Sequence, residues 1–291
     1  MQKARKKKMK IIDGKAISAQ IRAELREKCE KLKEEKGITP GLAVIIVGEV
    51  PASQIYVRNK AKACEELGYH SEVYRLPAES TEEQIGELID KLNADEKIDG
   101  ILVQLPLPGH KDEKSLLLRI SPKKDVDAFH PYNVGRISTG DYGFLPCTPA
   151  GVMELIERSG ISVRGKNCVV IGRSNIVGKP MAMLLINADG TVTVCHSRTQ
   201  NLAEVCRSAD ILVSAVGRAN FVKADMVKEG AVVIDVGMNR RADGKLTGDV
   251  DFASVEPKAS YITPVPGGVG PMTITMLMQN TLTAARRSLK N

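Results

Sequence analysis

No apolar run in this chain approaches the roughly 18 residues that a membrane-spanning helix requires. No signal-peptide core follows the basic start either, so a cytosolic protein is expected. The six cysteines (Cys29, Cys64, Cys147, Cys168, Cys195, Cys206) include no Cys-x-x-Cys pair and no zinc-like spacing. Buried or idle thiols in a reducing compartment are the plain reading. Only four histidines are present (His70, His110, His130, His196), scattered so that no Ser-His-Asp arrangement can be assigned. Tryptophan is absent, which carries no functional message. An excess of one charge is also missing once its location is considered. Six of the 42 Lys and Arg residues lie in Met1–Lys10, where there is no acid, which leaves 36 basic against 35 acidic residues. A nearly neutral body speaks against a nucleic-acid-binding domain. The tail reads as a disordered extension, with a weak polyanion contact as the sharper alternative.

What is present is an alternation of short apolar runs with amphipathic segments. The 291 residues suffice for one large or two modest domains with a buried core. Ala16–Lys36 carries Ile17, Ile21, Leu25, Cys29 and Leu32 at steps of three and four, a helical period. Leu42–Val47 is a wholly apolar strand, as in a parallel sheet covered on both faces. A helix over Ala52–Leu67, a strand over Ser71–Leu76, a helix over Thr81–Leu92 and a strand over Gly100–Leu105 follow. Ser80 and Glu83 suggest a capping box for the second of these helices. Pro122–Pro149 lacks periodicity and reads as a bridge between domains. Pro149–Arg158 should be a helix with Pro at its start. A second alternation then places strands at Asn167–Ile171, Thr191–Cys195, Ile211–Ala215 and Ala231–Val236. Helices are expected between them at Gly178–Ala188, Asn201–Arg207 and Lys223–Lys228, and a last one over Met272–Leu289. Such repeats predict an α/β fold of two parallel-sheet domains, the second Rossmann-type, with a cleft between them and ligands at the C-terminal ends of strands.

Val169–Pro180 (VVIGRSNIVGKP) is the stretch around which the second half is organised. An apolar strand ends at Gly172, a polar turn follows, and Gly178 stands where a helix begins, an order suited to an anion at a helix N-terminus. Against Gly-x-Gly-x-x-Gly, Ser174 replaces the second Gly and the last Gly comes one residue late. The next strand ends in His196-Ser197-Arg198, where an NAD enzyme would carry an acid for the ribose 2′-hydroxyl. There is none. Ser197, Arg198 and Arg173 suit a 2′-phosphate instead, which indicates NADP.

Elsewhere, Tyr56 and Lys60 lie four apart on one helical face, where they could stack on a flat substrate and move a proton. A solvated Lys beside a half-buried Tyr fits the same spacing. Gln104 is a polar residue at an apolar strand end and needs a partner, structural or ligand. Asp125 and Asp127 point opposite ways on extended backbone, so one could face a cleft while the other caps a turn. No His or further acid clusters with them, and no metal site is expected. Pro264–Pro271 (PVPGGVGP) reads as a close backbone approach to a ligand or as a tight structural turn.

From Met9 onward the chain resembles the bifunctional methylenetetrahydrofolate dehydrogenase/cyclohydrolase family. The resemblance lies in SQIYVRNKAKACEELG (53–68), DGILVQLPLP (99–108), PKKDVDAFHPYNVG (122–135), PCTPAG (146–151), GRSNIVGKP (172–180), CHSRT (195–199) and ITPVPGGVGPMT (262–273). It implies a basic tail over 1–10, a folate-binding catalytic domain over 11–148 and an NADP-binding domain over 149–270. The C-terminal helix, 271–291, would pack back on the first domain. Tetrahydrofolate derivatives would bind in the cleft, and the implied assembly is a homodimer paired through the cofactor domains, with no nucleic-acid or membrane partner. The catalytic residues implied are Lys60, Tyr56, Gln104 and Asp127, with Ser53, Pro266, Gly267 and Gly268 added at the substrate. The cofactor would meet Gly172, Arg173, Ser174, Ile176, Val177 and Gly178 in the first turn, and His196, Ser197 and Arg198 in the second. No Gly-x-x-x-x-Gly-Lys-Ser/Thr loop is present, so the ATP-dependent synthetase fused in some relatives is not expected. Ala128 stands where Gly is common in the family.

The implied chemistry is oxidation of 5,10-methylenetetrahydrofolate by hydride transfer to the nicotinamide, then ring opening of the methenyl cation by water to 10-formyltetrahydrofolate. The folate nitrogens delocalise the cation, so the first step needs near-attack geometry rather than a strong base. The second needs a water deprotonated near neutral pH, by Lys60 if its pKa is lowered. Tyr56 would orient Lys60 and cover the pterin, Asp127 would accept from the pterin's amino and ring N–H edge, and Gln104 would position Lys60 or the folate. The alternatives are a dehydrogenase with weak cyclohydrolase activity, a silent NADP-sensing module, and an NADP-linked small-acid or shikimate-type dehydrogenase.

Overall fold

The structure is a computed structural model that describes residues 9–109 and 111–288, so residues 1–8 of the expected tail lie outside the described residues. In chain order come β1 (Lys10–Ile11), α1 (Gly14–Lys36), β2 (Gly41–Val47), α2 (Pro51–Leu67), β3 (His70–Leu76), α3 (Glu82–Ala94) and β4 (Gly100–Val103). Helices α4 (Glu113–Arg119), α5 (Pro131–Thr139) and α6 (Cys147–Arg158) follow. Then come β5 (Asn167–Ile171), α7 (Gly178–Asn187), β6 (Thr191–Cys195), α8 (Leu202–Arg207), β7 (Ile211–Ser214) and β8 (Val232–Asp235). The chain closes with β9 (Asn239–Arg240), β10 (Leu246–Thr247), α9 (Phe252–Val255), β11 (Tyr261–Ile262) and α10 (Val269–Ser288). Two compact units form. Among the described residues, one is Ala19–Cys147 with 274–288, and the other is Thr148–Thr273 with 9–18.

In the first unit β2 lies between β3 and β4 in a parallel sheet, order β3-β2-β4. Every residue of β2 is buried, as its unbroken apolar sequence requires of a strand covered on both faces. Ile45 and Val47 pack with Ile85 and Ile89 of α3 and Ile101 of β4. Pro51 opens α2, and Gly68 closes it in the left-handed region (φ 71°), so the helix starts directly beyond the C-terminal end of β2. The part of α10 belonging to this unit is tied in by polar bonds. Tyr69 Oη donates to Met278 O (3.2 Å), and Asn280 donates to Val126 O and Leu145 O (both 2.8 Å).

The second unit holds a parallel sheet in the order β1-β11-β8-β7-β5-β6. From β5 the chain runs out to the edge strand β6 and then returns to β7 on the other side of β5. That reversal opens a crevice beyond the C-terminal ends of β5 and β7, where doubly wound sheets bind ligands. β7 and β8 are wholly buried.

Several expectations are corrected. Lys10 and Ile11 pair with Tyr261 and Ile262. Lys10 is therefore strand rather than tail, and residue 11 joins the second sheet rather than opening the first domain, because the edge of β11 offers an unpaired ladder. The bridge from Pro122 to Pro149 contains helix α5, whose N-terminus is capped by His130 Nδ1 accepting from Tyr132 N (3.1 Å). Helix α3 is capped by Thr81 with Gln84, one residue later than Ser80 with Glu83, which leaves Glu82 and Glu83 in the first turn near the positive end of the helix dipole. Lys223–Lys228 is a short 3-10 turn, Ala224–Met226, rather than a helix. Helix α4, whose N-cap is Asp112, was not expected.

Candidate active site

In the first unit Ser53, Tyr56 and Lys60 succeed one another at steps of three and four on α2, and so share a face. Ser53 is buried, Tyr56 is 39% exposed and Lys60 only 9%. The spacing alone had also allowed a solvated lysine, and the fold rejects it. Lys60 Nζ donates to Gln104 Oε1 (2.9 Å). The Gln104 amide is turned by its own Nε2, which donates to Leu105 O (2.8 Å), so the oxygen is left for the amine. The partner that Gln104 required is Lys60.

The two aspartates divide as extended backbone allows. Asp125 caps the turn into α5, accepting from Phe129 N (3.2 Å), His130 N (2.9 Å) and Asn133 Nδ2 (2.8 Å). Asp127 belongs to the lysine's surroundings instead. Ala128 then takes φ 58°, the left-handed region that a glycine enters more easily. Cys147 Sγ lies 3.7 Å from Asp127 Oδ1 and 3.5 Å from Val126 O. Burial drives the Lys60 amine below the usual lysine pKa, against the pull of Asp127 that favours its charged form. Burial likewise raises Asp127, opposed by Lys60, and pushes Cys147 well up, so that thiol stays protonated and donates. The arrangement is a buried amine with a lowered pKa beside a carboxylate, a primary amide and an exposed aromatic ring. It can take a proton from water and hold a flat polar ligand.

Two members of this cluster, Cys147 and Asn280, were not singled out as site residues from sequence. Asn280 donates to the carbonyls of Val126 and Leu145, on the segments that carry Asp127 and Cys147. A polar residue within the apolar run of the last helix was the available signal.

In the second unit β5 ends at Ile171 and the turn Gly172–Val177 leads into α7. Gly172 takes φ 118°, and a Cβ there would sit 2.3 Å from Ala215 O. A Cβ on Gly178 would lie 2.2 Å from Gly172 O. Both glycines are obligatory for a turn this close, and the cradle they leave fits a dinucleotide phosphate. Ser174 holds the turn ahead of α7, its Oγ accepting from Val177 N (3.2 Å) and Gly178 N (3.3 Å). Ile176 is exposed in this turn. Ile171 and Cys195 are register partners, so Arg173 and Ser197, each two residues further on, leave neighbouring strand ends. Arg173, Ser197 and Arg198 are exposed there, and His196 Nδ1 accepts from Arg198 N (3.1 Å) and fixes the second turn. Pro266, Gly267 and Gly268 lie between β11 and α10 in this unit. Gly267 takes φ 105°, and a Cβ on Gly268 would lie 2.5 Å from Pro264 O.

A glycine cradle at the switch point of a doubly wound sheet defines a dinucleotide-binding α/β protein, and the buried amine gives the other unit the means for proton transfer. Residues 12–127 match the family model for the tetrahydrofolate dehydrogenase/cyclohydrolase catalytic domain, and residues 146–289 that for its NAD(P)-binding domain. The chain belongs to the tetrahydrofolate dehydrogenase/cyclohydrolase family. It is 60% identical over 277 residues to the bifunctional protein FolD of Moorella thermoacetica, covering 95% of this chain and 99% of that one. Among solved structures, the bifunctional FolD of Campylobacter jejuni superposes with a TM-score of 0.94 at 54% identity, covering 96% of this chain and 99% of the other. The Trypanosoma brucei enzyme, solved with NADP cofactor and an inhibitor, superposes with a TM-score of 0.93 at 43% identity, covering 97% and 99%.

Gly178→Ala is expected to abolish dinucleotide binding, because the added methyl meets backbone that cannot move aside. Titration calorimetry with NADP checks this, and wild-type affinity in the variant would show that the turn opens more readily than its contacts allow.

Proposed function

We propose that the chain oxidises 5,10-methylenetetrahydrofolate to the methenyl compound with NADP and hydrolyses that product to 10-formyltetrahydrofolate. The observation that carries the mechanism is the buried Lys60 amine held by Gln104 beside Asp127. NADP supplies the hydride acceptor. Tyr56 covers one face of the pterin and Asp127 accepts from its amino and ring N–H edge. Ser53 adds a further substrate contact from the same face of α2. For the second step the neutral Lys60 amine takes a proton from the attacking water, and Gln104 Oε1 holds the resulting ammonium. A buried Lys60 with a lowered pKa, held by Gln104, favours the bifunctional reading over a dehydrogenase alone.

Gly172, Ser174, Val177 and Gly178 shape the phosphate cradle, with Ile176 and His196 against the nucleotide. Arg173, Ser197 and Arg198 hold the 2′-phosphate. The exposed edge strand β6, with Thr191, Thr193 and Val194 facing outward, pairs with its counterpart in a second copy to form a homodimer. Among the described residues no helix is long and apolar enough to cross a membrane, and a cytoplasmic location is consistent with the reaction and with free buried thiols.

An absorbance time course with methylenetetrahydrofolate and NADP should show reduced cofactor without lasting methenyl product. Lys60→Ala and Lys60→Arg should instead accumulate the methenyl compound, since the first has no base and the second stays charged at every accessible pH. In the wild type ring opening should rise with pH through a pKa below the ordinary lysine value of 10.5, because only the neutral amine accepts the proton. Ring opening retained by both variants would take Lys60 out of the mechanism. Arg173→Ala is expected to weaken NADP by roughly ten- to a hundredfold, the loss of a charged hydrogen bond, and NAD far less. Equal losses would remove the 2′-phosphate assignment. Light scattering after gel filtration should give a dimer for the wild type and monomer for Val194→Lys, and a monomeric wild type would sink the edge-strand pairing.

A further inference from the structure

We propose that Asp249 is a positioning residue for cofactor binding, its carboxylate holding the loop Ser214–Arg218 against the nucleotide turn. The inference rests on the NADP reading above. Asp249 is fully buried. Its Oδ2 accepts from Val216 N (2.7 Å), Gly217 N (3.2 Å) and Ser214 Oγ (3.3 Å). Its Oδ1 accepts from Arg218 N (2.9 Å) and Asn239 Nδ2 (3.0 Å). Three successive amides of one loop therefore converge on one side chain, and Gly217 takes φ 67° to let them do so.

That loop lies at a decisive place. It follows β7, whose C-terminal end flanks the crevice opposite β5. Ala215 N donates to Ile171 O (2.8 Å), and the carbonyl of Ala215 is the atom that leaves Gly172 no room for a side chain. The loop backbone is thus one wall of the turn that carries Arg173. A displaced loop displaces the cradle.

Asp249 is itself anchored by a second buried carboxylate. Asp235 Oδ1 accepts from Asp249 N (2.9 Å) and Gly237 N (3.0 Å), and its Oδ2 from Val250 N (2.9 Å). Burial pushes Asp235 up to about 6 in spite of these amides, which leaves it largely ionised at neutral pH. The backbone makes room for both acids. A Cβ on Gly237 would lie 2.1 Å from Asp249 Oδ1, and one on Gly248 would lie 1.8 Å from Asp235 Oδ2. Removing two carboxylates from water is unfavourable, and an ordinary surface turn holds its shape without them. The expense falls where the fold binds its cofactor.

The test uses the full chain, calorimetric titration with NADP and with NAD, and ring opening of supplied methenyltetrahydrofolate in the absence of cofactor. Asp249→Asn keeps the shape but turns a donor toward amide N–H groups. Affinity for NADP and NAD should fall alike, by about tenfold or more, with ring opening retained. Unchanged affinity overturns the inference, and so does a parallel loss of ring opening, which would mark Asp249 as a general structural residue. Should Asp249→Asn fail to fold, Ser214→Ala removes one donor and leaves the carboxylate; about threefold weaker NADP binding is expected, and unchanged binding overturns the inference. A wild type that binds neither cofactor overturns the NADP reading together with this one, whereas wild-type binding with an unaffected Asp249→Asn overturns this one alone.

Discussion

A primary amine shut away from water imposes conditions on everything near it. Lys60 can be buried only if its proton is shared or shed, and the fold provides for both. Gln104, fixed at the end of β4 by its bond to the next carbonyl, presents an acceptor. Asp127 supplies a nearby negative charge, and the loss of hydration lowers the amine's pKa. These conditions explain why an amide sits at an apolar strand end, and why Asp127 rather than Asp125 faces the lysine. They also explain why the last helix is stitched to the Asp127 segment through Asn280. The same tension makes the amine a base, since a lysine in water would hold its proton at neutral pH.

A second theme is the use of buried polar side chains to hold loops in place. Asp125 gathers amides at the start of α5, Asp249 gathers those of the loop after β7, and Asp235 gathers those that carry Asp249. Asp235 ends β8 and the loop held by Asp249 follows β7, so both act where the regular ladder stops and backbone donors would otherwise need water. Rigid loops at those ends are what a binding site needs, because a displaced turn misplaces every group it carries.

Much of this was legible in the chain because it is local. The apolar run of β2, the spacing of Ser53, Tyr56 and Lys60, and the order of strand, glycine turn and helix from Val169 to Pro180 all follow from periodicity and backbone sterics. Other features depend on partners far along the chain. Asn280 bonds to Val126 and Leu145, and Asp249 to Val216, mostly through backbone amides and carbonyls that every residue shares. No pattern of side chains announces such a partner. The short elements were also lost, since α4, the helix within the supposed bridge, and the paired strand at Lys10 are too brief to show a period of their own.

By itself the sequence determined two runs of parallel-strand units, a glycine turn between strand and helix from Val169 to Pro180, and a lysine and tyrosine on one helical face. Steric limits on glycine, the alternation of strand faces and the helical repeat act over a few residues, so they can be read without a fold. Tertiary structure decided which lysine reading was true, which of two aspartates entered the site, and which distant residues held the loops. Those outcomes turn on burial and on hydrogen-bond geometry, and both exist only after segments far apart in sequence have packed together.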